Sequence, residues 1–275
     1  MIPLLMTVLL AADPQPAALA KSDWDCHIDG HFRVCAASGR DTASLVAQAE
    51  KGFRGALRFI GASQYPHEIY LFVVGSPREM QWLIHAYANG ASHPEEHAVF
   101  VVEGHAGELA HELNHEVVTG LWGKSEFWIA EGLAAYATDP NGIDERCRKA
   151  FEERWSLKLQ DMVKPGWNAA QDPYPARAIY PMLGSFVKYL KAAYGTAAIR
   201  KVWTKGSASI SAIFGKSLDE LDRDWRTSLN QPPIPRAFLR YTTLEARTVQ
   251  CAGGPKWSEG AHNEFPGETD STRNE

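Results

Sequence analysis

The sequence has no run of Lys or Arg longer than a pair, and 28 basic against 33 acidic residues leave a formal net charge of -5. Nucleic acid and anionic lipid are recognised through clustered positive charge, so neither is an expected partner. None of the four cysteines forms a C-x-x-C pair, which removes zinc ribbons and dithiol redox motifs from consideration. No apolar stretch approaches the ~20 residues that span a bilayer as a helix, so no stable membrane span is expected in a mature chain. No internal repeat at a fixed period is visible. What is there is 275 residues, 45% apolar and 22% charged, enough for a full core in one catalytic domain or two tightly packed halves.

Residues 1–10 are nearly all apolar, and small residues follow at Ala11-Ala12 and at 17–20. This pattern reads as an export signal over 1–20, cleaved after Ala20 or Ala12, with a periplasmic or secreted destination in a bacterium. It departs from the usual pattern in lacking a Lys or Arg before the apolar run. The cysteines agree with export. Cys26 and Cys35 flank Asp29-Gly30, and a hairpin with a four-residue loop would set them opposite each other for a disulfide. Cys147 and Cys251 are left either to bridge the C-terminal segment to the body or to stand as two free buried thiols.

Beyond this hairpin over 24–36, Asp41 can cap a helix in which Leu45, Phe53, Leu57 and Ile60 recur at helical spacing and should pack on a sheet. Strands are expected at 68–74 and 98–103, separated by a helix over 77–88 that opens after Ser76. From Gly107 onward the pattern is helical, at about 107–119, 126–137, 144–154, 178–194, 196–205 and 217–229. The fold class is therefore α+β, with a mixed half over 21–106 and a helical half over 107–235. Pro232, Pro233 and Pro235 close the last helix, and 236–275 is an extension read as largely disordered after 253.

Chemistry concentrates at His111-Glu112-Leu113-Asn114-His115, an H-E-x-x-H sequence on a predicted helix. Residues four apart share a helix face, so both imidazoles can reach one ion, while Glu112 lies about 100° round and points toward a metal-activated water. Gly120 and Gly123 bracket a break, Ser125 can cap the next helix, and Glu131 lies on that second helix. At ~1.5 Å rise per residue, His115 is ~7.5 Å before the break and Glu131 is ~9 Å after the cap, so an antiparallel hairpin sets them level. Two His and one Glu with an open fourth position is a catalytic zinc arrangement, and no Cys is near to close it. A carboxylate beside the activated water, as Glu112 would be, can take its proton and pass it to a leaving amine.

The H-E-x-x-H helix followed by 128–136 (Trp-Ile-Ala-Glu-Gly-Leu-Ala-Ala-Tyr), then 180–190, Tyr194-Gly195 and 217–225, resembles the gluzincin metallopeptidases of the thermolysin-like clan, especially the bacterial peptidase MA-like group. The match covers about 97–230. It implies a zincin-like fold, one Zn2+ ion, and a peptide or protein substrate. It also implies a tyrosine donating to the oxyanion, for which Tyr180 is the matching position and Tyr174 and Tyr136 are rivals. The chain departs from the family in two places. No Gly-Ala-Met-Glu-Asn type segment lies upstream, which leaves aminopeptidase specificity unsupported. Ala135 stands where an aspartate that accepts from a histidine ligand is usual, so another acceptor must fix the imidazole tautomer. The clan's habit would make 98–103 an edge along which a peptide adds; its nearly continuous apolar run fits a central core strand equally.

Other residues have plainer readings. His105 is a rim or loop histidine, and His67, His85, His93 and His97 lack ligand spacing. Phe127 and Trp128 are expected to pack beneath the site, and Phe186, Tyr189 and Leu190 to pack in the core. The leading expectation is an exported zinc metallopeptidase. A zinc-binding scaffold without catalysis and a metallohydrolase of non-peptide amides or esters are the rivals.

Overall fold

A computed structural model describes residues 15–40, 42–153, 155, 157–167 and 176–230. The apolar stretch 1–10, Asp41, Tyr174, Cys251 and the extension 236–275 lie outside these residues.

Two-residue alternation divides the strands between two covered faces. Strands β1 (Asp25–Asp29), β2 (Phe32–Ala36), β3 (Ile69–Val74), β4 (Gly90–His93) and β5 (Ala98–Val102) form one sheet in the order β1-β2-β3-β5-β4. β2, β3 and β5 run parallel, and the two outer strands are antiparallel to their neighbours. β3 and β5 are buried along their whole length, as their unbroken apolar runs require when helices cover both faces. Ile69, Leu71, Val73, Val99 and Val101 point to the main core, while Tyr70, Phe72, Val74, Phe100 and Val102 point the other way. On that second face Phe72 stacks on its register partner Phe100 with centroids 4.7 Å apart.

The main core is built against α1 (Ala43–Ile60) and α3 (Leu109–Trp122). α1 buries Leu45, Phe53, Leu57 and Ile60, the expected stripe, and ends at Gly61 in the left-handed region. The second face is covered by α2 (Pro77–Ile84), whose first turn is capped by Ser76 accepting from the Glu79 N–H at 3.2 Å. The helical half continues through α4 (Phe127–Thr138), α5 (Ile143–Glu152), α6 (Leu159–Met162), α7 (Ala176–Lys205), α8 (Ile210–Phe214) and α9 (Leu218–Ser228). One cluster of buried apolar side chains runs from Phe32 to Leu229, so the mixed and helical halves share a core. No helix among the described residues is long and apolar enough to cross a membrane.

Several sequence expectations are corrected. The first hairpin turns on two residues, not four, because Asp29 and Phe32 still pair and Gly30 takes φ 60°. Cys26 and Cys35 remain opposite each other and are bridged. Strand 98–102 is not an edge: β3 and β5 pair on one side and β4 covers the other. α3 runs through Gly120 and stops at Gly123, φ 81°; Gly120 is required within the helix because a Cβ there would collide with the Tyr65 hydroxyl. Ser125 does not cap α4; its hydroxyl donates to the Trp203 carbonyl at 2.8 Å. The two helices expected at 178–194 and 196–205 are both present: α7 consists of two helical segments that meet at a kink at Gly195, whose φ 80° and ψ 169° are not helical. Cys147 is buried, and burial pushes its thiol up to about 12.

The 17–20 segment of the expected leader is a short 3-10 turn. Ala18 packs in the second core with Leu83 and Phe72, and its carbonyl accepts from the Trp24 indole at 3.0 Å.

Candidate metal centre

Helical spacing sorts α3 into three rows with three duties. Leu109, Leu113 and Val117 are buried in the main core. This row lies so close to α1 that a Cβ on Gly52 would come within 3.1 Å of the Ala110 Cα. His111, His115 and Thr119 form a second row that lines a cleft of about 460 Å³, a size that receives small ligands or a few side chains. Glu112, Glu116 and Gly120 form the third row: Glu112 lies against Gly90 of β4, Glu116 meets His97 of the β4–β5 turn, and Glu116 and Gly120 both face Tyr65.

α4 runs back beside α3 and brings Glu131 to the histidines. Glu131 Oε2 lies 3.1 Å from His111 Nε2 and 3.3 Å from His115 Nε2, and the two Nε2 atoms are 3.1 Å apart. Three ligand atoms around a tetrahedral ion with 2.0–2.1 Å bonds stand about 3.3 Å apart, so the triangle fits zinc and leaves one side open. The donor set of two imidazoles and a carboxylate fits it as well. Burial pushes the Glu131 carboxyl upward, but His115 and His111 beside it outweigh that and hold it well below the usual carboxylate range.

Glu112 lies against the edge strand. A Cβ on Gly90 would approach Glu112 Cγ to 3.0 Å and Glu112 Oε1 to 3.3 Å, so β4 must carry glycine there for its backbone to sit over the carboxylate. Burial, with Glu131 and Glu108 adding to it, raises the Glu112 carboxyl to about 7 although His111 opposes the rise. Tyr180, near the start of α7, meets His111 edge-on with ring centroids 6.0 Å apart and lines the same cleft. Burial first, and then Glu131, Glu112 and Glu108, raise its phenol above the ordinary value, so it stays a hydrogen-bond donor. Tyr136 instead packs edge-on against Phe59 at 4.9 Å.

Sequence reasoning missed the packing behind the centre. Glu116 is fully buried and accepts from the Tyr65 hydroxyl at 2.5 Å, with His97 Nδ1 3.1 Å from the same oxygen. His67 stacks on His97 at 3.9 Å. Burial raises the Glu116 carboxyl to about 7 against the lowering effect of the Tyr65 hydrogen bond. These contacts tie the β4–β5 turn to the back of α3. The site's other side is set by α4 against α7, where a Cβ on Gly132 would lie 2.7 Å from the Leu183 carbonyl oxygen. Ala135 is buried in this contact, 3.1 Å from where a Cβ on Gly184 would fall. Packing thus explains why a small residue occupies that position. Phe127 lines the cleft rather than lying beneath it, whereas Trp128 is buried with its indole donating to Glu126 and Ser207 at 2.9 Å each.

No family model and no curated protein matches the chain. Among solved structures it is similar to native yeast LTA4 hydrolase at 16% identity and a TM-score of 0.43. The match covers 78% of this chain and 40% of that one, so the chain spans less than half of that structure's length.

Proposed function

We propose that the chain is an exported, zinc-dependent metallopeptidase of gluzincin type on a zincin-like fold, with His111, His115 and Glu131 as the metal ligands. The observation that carries this reading is the 3.1–3.3 Å triangle of ligand atoms opening into the cleft that Glu112 also lines. When bound, zinc supplies Lewis-acid polarisation of a carbonyl and lowers the pKa of water toward ~7. The Glu112 carboxylate takes a proton from the attacking water as the water oxygen bonds to the scissile carbonyl carbon. It then delivers that proton to the leaving nitrogen as the C–N bond breaks. The Tyr180 hydroxyl donates to the oxygen that gains charge. An extended peptide adds along β4, the outermost strand on this side of the sheet, whose Gly90 and Ser92 line the cleft. The Cys26–Cys35 bridge supports an oxidising destination.

Metal analysis and an unbiased peptide-library digest test the reading together. One zinc per chain and cleavage of peptides are expected, both lost in His115→Ala. Zinc bound with no peptide cleaved would point to a non-catalytic scaffold, and no zinc would end the reading altogether.

A further inference from the structure

Among the described residues that line the cleft, Lys124 is the one lysine or arginine, and Glu95, Glu112 and Glu131 are the acids. Glu112 and Glu131 are committed to the metal centre, which leaves Lys124 and Glu95 facing each other with Nζ and Oε2 3.9 Å apart. They come from different supports, Glu95 from the β4–β5 turn and Lys124 from the link between α3 and α4. Their side chains are 56% and 79% exposed. An ion pair that long and that wet contributes little and opens readily.

The backbones beneath them are fixed. The Trp203 indole, itself buried, donates to the Gly123 carbonyl at 2.7 Å, and Ser125 donates to the Trp203 carbonyl at 2.8 Å, so Lys124 is clamped on both sides in sequence. Glu95 sits in a turn closed by the Glu96 N–H to the His93 carbonyl at 2.9 Å. His97 in the same turn is tied to buried Glu116. A rigid backbone carrying a loosely paired cation at a cleft rim is organised to exchange partners with little reorganisation.

We infer that Lys124 is a specificity-determining residue whose ammonium receives an acidic side chain of the peptide substrate in exchange for Glu95. Both side chains line the cleft, and Lys124, the longer and more exposed of the two, can swing to a substrate carboxylate while the displaced Glu95 carboxylate turns into water. This rests on the peptidase reading above.

The test is a library digest by the zinc-loaded wild-type protein, followed by kcat/KM for matched peptides carrying Glu or Gln at the preferred position. An acidic side chain is expected at one subsite, with a Glu-to-Gln ratio of about two- to fivefold, the range of a solvent-exposed pair. Lys124→Glu should bring that ratio below one, and Glu95→Gln, which frees the ammonium, should raise it. Cleavage without an acidic preference, a basic preference lost in Glu95→Gln, or an acidic preference unchanged in Lys124→Glu overturns the inference. Failure to cleave any peptide instead overturns the reading on which it rests, so the two failures are distinct.

Discussion

Replacing Gly132 by Ala should damage both stability and metal binding, although alanine is the better helix former. In the interior of α4 the substitution gains ~1 kcal/mol of helix propensity. The added methyl, however, would stand 2.7 Å from the Leu183 carbonyl oxygen and 2.7 Å from Val187 Cγ2. One of these is backbone, so α4 and α7 must separate by several tenths of an ångström. Overpacking of this kind costs ~1–3 kcal/mol, leaving a net loss of about 1 kcal/mol and a Tm lower by roughly 2–4 °C. Glu131 is the preceding residue, and its carboxylate must meet two imidazoles at 3.1 and 3.3 Å. Metal–ligand distances tolerate about ±0.2 Å, so zinc affinity should fall about tenfold or more, as it does when support for a ligand is removed. Gly55→Ala is the control, since nothing lies within 4 Å of a Cβ there. It should stabilise the protein by ~0.5–1 kcal/mol and leave zinc affinity unchanged. Urea denaturation of metal-free protein and a chelator-competition titration read the two quantities. If Gly132→Ala matches Gly55→Ala in both, the close α4–α7 approach does not position Glu131.

Two further outcomes follow from buried contacts. Tyr65→Phe removes the hydroxyl that donates to fully buried Glu116 at 2.5 Å and should cost ~1.5–3 kcal/mol in a urea melt; a change under about 0.5 kcal/mol would show that water replaces it. A chain starting at Lys21 loses the burial of Ala18 and the acceptor of the Trp24 indole, so it should be ~1–3 kcal/mol less stable than a chain starting at Asp13. Equal denaturation midpoints would make the docked turn dispensable and leave cleavage after Ala20 as compatible with the fold as cleavage after Ala12.

The sequence carried the site better than it carried the scaffold around it. His111, Glu112 and His115 share one short helix, so 3.6-residue geometry alone relates them, and Glu131 needed only a helix hairpin. Gly120 and Ser125, the expected break and cap between the two ligand helices, nevertheless have other duties. The structure puts the break at Gly123 and turns Ser125 to Trp203. β4 was missed because Gly90-Ala91-Ser92-His93 has low strand propensity and becomes a strand only by pairing with β5. The Tyr65–Glu116–His97 contacts were invisible because the partners lie 51 and 19 residues from Glu116. A glutamate on a row between apolar and ligand positions was the one available signal.

Glu112→Gln tests the central claim most directly, because the amide keeps the shape of the side chain beside Gly90 but cannot take a proton. Zinc content should remain one ion per chain while peptide turnover drops by at least two orders of magnitude, the scale of a lost general base. Turnover retained with zinc in place would contradict the account.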